Sequence, residues 1–433
     1  MPVKPLNLIV VICHDLGQHL GCYGAPDART PRVDEFAEGG LRFASHFCAA
    51  PGCSPSRASI WTGRYPHANG VVGLAHSEFQ NDLNPGERHL AQILADAGYA
   101  THLFGNQHVS PRWERCGFQF SHGAGPCAQI AGNVAKFLSE RPRDGKPLFL
   151  KIAFFEPHRP FPHKDVERLD PAAVHVPPYL PDIPEVREDL ADFEASAASA
   201  DKAFGVILDA VAKAGLMEDS IVVFTTDHGY AFPHAKMTLY DPGITTALAM
   251  RVPGAAGGRV FNEMISNVDF TPTMLDLLGR EIPANIQGRS FKGLIVGGPY
   301  ATRDAVFAEK TYHTYYDPMR TIRTRRWKLI ANFEFAPHQE TSPDYDNNAK
   351  CYVEVAKAKP LPWLYHPPYE LYDLETDPWE EHSLAARPEH QAVRDDLLRR
   401  LHAWMRETGD PLLDGPMAQA TYRKRMAEFK NVK

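Results

Sequence analysis

The chain has 433 residues, 44% of them apolar and 23% charged, which excludes a disordered segment and leaves room for one large core plus a smaller one. A formal net charge of −7 argues against a nucleic acid as the main ligand. Seven cysteines, at 13, 22, 48, 53, 116, 127 and 351, make no CxxC pair, which argues against a disulfide framework or a zinc knuckle.

The run Leu6–Ile12 is continuous and rich in branched side chains, the pattern of a central parallel strand covered on both faces. At seven residues it is too short to span a bilayer, and no secretory cleavage pattern follows it. The expectation is a chain with no membrane contact, in the cytoplasm, or in the periplasm if an export segment has been removed. The run ends in Cys13-His14-Asp15, at the carboxyl end of the strand, where open α/β sheets place their sites.

Thr30-Pro31 starts a helix, and 41–47 reads as a short strand. A helix over 87–97 precedes a strand at Tyr99–Phe104, which runs into Gly105-Asn106-Gln107-His108. Residues 127–138 read as helix, and 147–155 as a buried strand ending in Glu156-Pro157-His158-Arg159-Pro160. A proline-rich connection over 171–184 leads to a helix at 186–213. Ile221–Thr225 is the next parallel strand and opens into Thr226-Asp227-His228-Gly229. Strands at 245–251 and 261–265 and a helix at 271–278 follow. Alternating strands and helices predict an α/β fold with a large, mostly parallel, doubly wound sheet.

After residue 300 the texture changes to short strands at Asp304–Glu309, Met319–Arg323, Trp327–Ile330 and Tyr369–Asp373, then a closing helix at 390–407. The expected organisation is a catalytic α/β domain over 1–300 and a smaller antiparallel-sheet subdomain over 301–411. The tail 412–433 reads as a loose terminus or a partner-binding arm.

His14 and Asp15 stand at one strand end, and Asp227 and His228 at another. If the two strands are neighbours, imidazole and carboxylate donors converge on a set suited to Ca, Mn, Mg or Zn. Read singly, the same residues are a capping Asp and a surface His. Cys53 reads alone as a buried core thiol. It lies, however, in Gly52-Cys53-Ser54-Pro55-Ser56-Arg57 just ahead of a helix-forming segment, where a helix N-terminus and a guanidinium favour a nucleophile or an anionic ligand.

Cys53-Ser54-Pro55-Ser56-Arg57, continued by Thr62-Gly63-Arg64, resembles the C-x-P-S-R signature of the type I sulfatase family, within the alkaline-phosphatase-like superfamily. HRPF at 158–161, FPHAKMTLYDPG at 232–243 and YYDPMR at 315–320 resemble its heparan N-sulfatase (sulfoglucosamine sulfohydrolase) branch and bacterial relatives. The resemblance implies that Cys53 is oxidised by a formylglycine-generating enzyme to formylglycine, whose hydrate attacks sulfur. It implies one divalent metal ion, calcium by family with manganese or zinc as alternatives, held by His14, Asp15, Cys53, Asp227 and His228. It implies catalytic roles for Cys53, Arg57, His108, His158 and Lys236. His158 would protonate the leaving atom, His108 would act on the second hydroxyl of formylglycine, and Lys236 would contact sulfate.

Three positions depart from the family pattern. His14 stands where many members have the first of two aspartates, and His228 replaces a common Asn. Asn106 stands where members usually carry a lysine, so it would contact the substrate without charge. His76, Arg159 and His163 are candidates for the missing cation by motif proximity, and Arg159, His313 and Arg320 are candidate substrate contacts. The implied function is a metal-dependent sulfatase acting on a sulfate ester or sulfamate of a small sugar or aryl compound, possible as a homo-oligomer. The alternatives are a phosphonate monoester or phosphodiester hydrolase on the same scaffold, or a non-catalytic metal- or sugar-binding protein.

Overall fold

The computed structural model of the protein describes residues 5–76, 79–141, 145–313, 315–334, 350–359 and 365–431. Its main sheet has eight strands in the order Phe120–Ser121, Ala100–Gly105, Leu148–Ala153, Asn7–Cys13, Ser220–Thr226, Leu248–Arg251, Leu41–Phe43 and Arg259–Phe261. The four pairings from Phe120–Ser121 to Ser220–Thr226 are parallel, as is Leu41–Phe43 with Arg259–Phe261, and Leu248–Arg251 runs antiparallel to both its neighbours.

Asn7–Cys13 is buried along its whole length because layers cover both faces. Alternation at period two divides it. Ile9, Val11 and Cys13 enter one core with the helices Cys127–Glu140 and Pro184–Lys213. Leu8, Val10 and Ile12 enter the other, with the helices Cys53–Thr62, Leu90–Asp96 and Phe270–Leu277. This is the expected doubly wound arrangement.

A second sheet of four antiparallel strands follows in the order Ala305–Tyr312, Tyr316–Thr324, Trp327–Asn332 and Tyr369–Asp373. The helix Gln391–Thr408 lays Leu397, Leu401, Trp404 and Met405 on one face of it. The other face carries Val306, Met319 and Ile330 against Phe47, Leu239 and Ile244 of the main body. The small sheet is therefore packed beside the loops that leave the carboxyl ends of the large one.

Two expected strands are each two strands. The stretch 41–47 splits into Leu41–Phe43 and His46–Phe47, and 261–265 splits into Arg259–Phe261 and Ile265–Ser266. His46–Phe47 leaves the main sheet to pair in parallel with Ile265–Ser266, so each apolar run serves two sheets. The helix expected from 87 starts at Leu90, because His89 caps it, its Nδ1 accepting from Ala91 N at 3.0 Å.

The first part of the tail is tied down. Asp410 is buried, Tyr312 donates its hydroxyl to the Met417 carbonyl, and Met417 N donates to the Tyr316 hydroxyl at 3.1 Å. The last helix, Ala420–Lys430, buries no side chain. Among the described residues, no helix is long and apolar enough to cross a membrane.

Candidate active site

Strands Asn7–Cys13 and Ser220–Thr226 are neighbours in register, with Cys13 opposite Thr226. The next residues on each therefore emerge side by side. Asp15 N donates to Asp227 Oδ1 at 3.0 Å, across 212 positions of sequence. His14 Nδ1 lies 2.6 Å from Asp15 Oδ1 and 3.6 Å from Asp227 Oδ2. His228 Nε2 lies 3.1 Å from Asp15 Oδ1. Asp15 adopts φ 51°, a left-handed conformation that aspartate tolerates better than most residues other than glycine.

One donor atom from each of His14, Asp15, Asp227 and His228 lies within 4.8 Å of the others, and His14, Cys53 and His228 form an overlapping group. All five residues are buried. The hydrogen bonds suit a cation. His228 Nδ1 is paired with the Gly229 carbonyl at 2.8 Å, so Nε2 is left as a lone-pair donor, the arrangement common for metal-ligating histidines. Burial opposes a charged imidazole, yet Asp227 and Asp15 outweigh it and lift His14 to about 9 and His228 to about 10. Two buried carboxylates thus draw positive charge into this volume, and protons supply it where no cation does. The donor set fits a divalent ion, which would be balanced by two carboxylates and bound by two neutral imidazoles.

Cys53 is the first residue of the helix Cys53–Thr62, whose ten residues are all buried. Sequence placed the helix a few residues later. Its position at the N-terminus exposes the sulfur to the helix dipole. Burial penalises the thiolate, but hydrogen bonds from His108, His14, His228 and His313 outweigh it and hold Cys53 well below the usual thiol range. Arg57, one turn along, is fully buried and donates Nε to Asp227 Oδ2 at 2.9 Å. Its Nη1 and Nη2 have no hydrogen-bond partner among the described residues. Buried guanidinium nitrogens without acceptors mark a place for an anion.

Lys236 closes another side. Its Nζ donates to Asp15 Oδ2 at 2.7 Å and stands 3.4 Å from His158 Nε2. His158 Nδ1 pairs with the Arg159 carbonyl at 2.7 Å, which directs Nε2 to the cluster. His14 separates His158 from His108, with ring centroids 4.5 and 5.4 Å away. Burial depresses His108 to about 4, so it is a neutral base near pH 7. Its φ is 62°, and its Nδ1 meets the exposed Asn106 carboxamide at 3.0 Å. The His76 ring lies against His108, tilted by 30°, with centroids 4.5 Å apart.

His313 from the small sheet is buried and reaches Cys53. Arg320 and Arg159 do not join the site. Arg320 is completely buried, with Nε and Nη2 on the Asp410 carboxylate at 2.5 and 3.0 Å. Arg159 donates to Asp189 and to the Ala231 carbonyl, and its guanidinium lies over Phe161 at 4.4 Å. Both cations are paired inside the fold, away from the cluster around Cys53. His163 is likewise turned away, with Nδ1 2.7 Å from the Phe161 carbonyl.

Sequence reasoning missed the supports. Ser56 donates to the Asp227 carbonyl and is itself held by Asn267 Nδ2 at 3.0 Å. Lys151, fully buried in mid-strand, donates Nζ to the Gln107 carbonyl at 2.9 Å, bracing the turn that carries His108. The position of Lys151 within an otherwise apolar strand was the available signal, since a buried ammonium requires a partner.

Comparison with known proteins agrees with this geometry. The sulfatase family model matches residues 6–280, and the model of the N-sulphoglucosamine sulphohydrolase C-terminal region matches 227–350. Human N-sulphoglucosamine sulphohydrolase is 29% identical, over 95% of this chain and 92% of that protein. A solved Bacteroides thetaiotaomicron chain from work on the metabolism of multiple glycosaminoglycans shares the fold with a TM-score of 0.77 and 21% identity, covering 94% of this chain and 97% of that one. Phosphonate monoester hydrolase from Silicibacter pomeroyi shares it with a TM-score of 0.75 and 20% identity, covering 94% and 96%. With more than half its length matched by the family model and the signature cysteine at the centre of a buried His/Asp cluster, the chain belongs to the type I, formylglycine-dependent sulfatase family of sulfuric ester hydrolases.

Proposed function

We propose that the protein hydrolyses a sulfate ester or sulfamate of a small sugar or aryl compound, after a formylglycine-generating enzyme has oxidised Cys53. The observation that carries this reading is the buried meeting of Cys53, the unpaired Arg57 nitrogens and the four-residue donor set. A divalent ion, calcium by family with manganese or zinc as alternatives, would be held by His14, Asp15, Asp227 and His228 and would offset charge on the sulfuryl oxygens. An oxidised residue 53 would supply the attacking hydroxyl as an aldehyde hydrate.

The chain's own groups divide the remaining work. Arg57 Nη1 and Nη2 bind anionic oxygen beside residue 53. Lys236 Nζ, anchored on Asp15, binds a sulfuryl oxygen. His158, its ring fixed by the Arg159 carbonyl, holds at Nε2 the proton for the departing oxygen or nitrogen. His108, neutral because it is buried, accepts a proton from residue 53.

Mass spectrometry of the Cys53 peptide tests the first requirement. Conversion lowers its mass by about 18 Da. Matched aryl sulfate, sulfamate and phosphonate substrates test the second, and faster turnover of the phosphonate would replace the sulfatase reading.

A further inference from the structure

His158 projects from the loop that follows the buried strand Leu148–Ala153, and a loop leaving a sheet moves unless side chains fasten it. This one is fastened on both sides of His158. The Glu156 carboxylate accepts from Cys127 N at 3.0 and 3.1 Å, at the start of the helix Cys127–Glu140. The Arg159 guanidinium is buried in a box of three rings, Phe161, Phe232 and Tyr352, at 4.4, 5.3 and 5.6 Å from their centroids. Its Nη2 pairs with Asp189 Oδ2 at 2.8 Å, on the helix Pro184–Lys213, and lies 3.3 Å from Cys351 Sγ, on the helix Lys350–Ala358. Its Nε donates to the Ala231 carbonyl at 3.1 Å.

The last of these contacts ties His158 to the rest of the centre. Ala231 lies in the turn that follows Asp227-His228, and the preceding carbonyl, that of Tyr230, accepts from Lys236 N at 3.1 Å. One turn therefore holds both Arg159 and Lys236, and Lys236 Nζ stands 3.4 Å from His158 Nε2. The Arg159 carbonyl can only accept, so its 2.7 Å contact with His158 Nδ1 keeps a proton on Nδ1 and leaves Nε2 as the nitrogen that gives or takes one. An apolar side chain would fill the ring box without the cost of burying a charge. What the arginine adds is direction, since its planar fork of donors fixes where the backbone at 159 lies.

We propose that Arg159 is a positioning residue for departure of the leaving group. It touches no reacting atom. Its docked guanidinium holds its own carbonyl, and through that carbonyl His158 Nε2, where the departing atom is protonated. This role rests on the sulfatase reading above. In the step it serves, the sulfuryl group passes to residue 53. The bond to the departing oxygen or nitrogen breaks with its electron pair kept on that atom, and the His158 Nε2 proton moves onto it. The Nδ1 proton stays directed at the Arg159 carbonyl. Need for the Nε2 proton varies with the leaving group, because 4-nitrophenolate departs readily as an anion and 4-methoxyphenolate does not.

The test compares the sulfates of these two phenols on the oxidised, metal-loaded full chain. Arg159→Lys keeps the charge and loses the fork. It should lower kcat/KM about 50-fold on the methoxyphenyl ester and by no more than about threefold on the nitrophenyl ester. His158→Ala should show the same selectivity, and adding Arg159→Lys to it should cost at most about twofold more, because the two residues act as a unit. Asp189→Asn loosens the same clamp more gently, with about tenfold and at most about twofold losses, and serves where Arg159→Lys does not fold. NMR of protein with ¹⁵N-labelled histidine reads the ring without turnover. The His158 Nδ1–H signal, identified by its loss in His158→Ala, should exchange slowly with water in the unaltered chain and broaden in both clamp variants.

Equal losses on the two esters, additive losses in the double variant, or an Nδ1–H signal unchanged by loosening the clamp would overturn the role. Turnover of the matching aryl phosphonates but of no sulfate would overturn the sulfatase reading alone, and the same two phenols then carry the comparison on phosphonate. Turnover of neither, with an Nδ1–H signal that depends on Arg159, would uphold the clamp on the ring and overturn the hydrolytic step.

Discussion

Two regions bring histidine and carboxylates within metal-binding reach, and they have different fates. His14, Asp15, Asp227 and His228 form one group, and His67, Glu309 and Asp410 form the other. Both are buried. In the second, the donors are already used. Glu309 accepts from His67 N at 2.8 Å and from the His67 ring, while Arg320 takes both oxygens of Asp410. The cation is therefore a side chain from within the fold. In the first, Arg57 and Lys236 flank the carboxylates, and the imidazoles face the interior of the group. Ligand-like spacing alone does not make a metal centre. What decides is whether a fixed cation already occupies its middle.

The contrast can be broken most strongly at the nucleophile. Cys53→Ala is expected to reduce turnover by at least about 10⁴-fold while thermal unfolding stays close to that of the unaltered chain. Appreciable residual hydrolysis would remove Cys53 from its assigned place. Asp227→Asn should weaken metal binding by at least about 100-fold, read by calorimetry with Ca²⁺, Mn²⁺ and Zn²⁺.

Asp410→Asn should do the opposite. It removes the carboxylate that accepts from Arg320 Nε and Nη2, leaving Glu309 as that buried guanidinium's counter-charge, and is expected to cost about 3–5 kcal/mol of stability by denaturant unfolding. The change in Tm on adding metal should be the same as in the unaltered protein. A metal response lost in Asp410→Asn and kept in Asp227→Asn would exchange the two regions.

Acidity sharpens the same comparison. In the metal-free fold His14 titrates at about 9 and His228 at about 10, above the ordinary 6.5. A raised histidine stabilises the fold fully below about 6.5 and ceases to as pH climbs through its folded value. The metal-stripped protein should therefore lose stability between about pH 6.5 and 10. A metal needs both imidazoles neutral, so its affinity rises over the same interval. The gap in Tm between loaded and stripped protein should widen from pH 6 to 9, and a constant gap would deny the histidines their place as ligands.

The smallest effect concerns Lys151. Burial holds the Lys151 amine well below the usual lysine range, and Lys151→Met replaces it by an apolar side chain of similar length, so Tm should move by only a few degrees. The Gln107 carbonyl loses its partner, and looser placement of His108 should lower kcat about tenfold with KM little changed.

Much of the centre was legible in the chain because strand ends and short motifs fix where residues start. The apolar run before His14 and the one before Asp227 each predicted a buried strand, and adjacency in the sheet followed. Side-chain direction was not legible. Arg159 adjoins His158 in sequence, but the backbone turns its guanidinium to Asp189. Arg320 lies opposite Glu309 in the small sheet and points to Asp410. Nor could sequence foresee the cavity beside His108, since its lining comes from three separate stretches around His76, Asn106–Trp113 and Ser121–Ala124.

The bond between Arg320 and Asp410 has a consequence for how the parts of the molecule hold together. Asp410 follows the helix Gln391–Thr408, and Arg320 sits within the strand Tyr316–Thr324, so the pair fastens the end of that helix to the sheet it covers. His67 of the main body lies 3.9 Å from the same carboxylate, and its backbone N donates to Glu309. One buried knot of charge therefore ties three separate pieces of polypeptide, and loosening any of them loosens the other two.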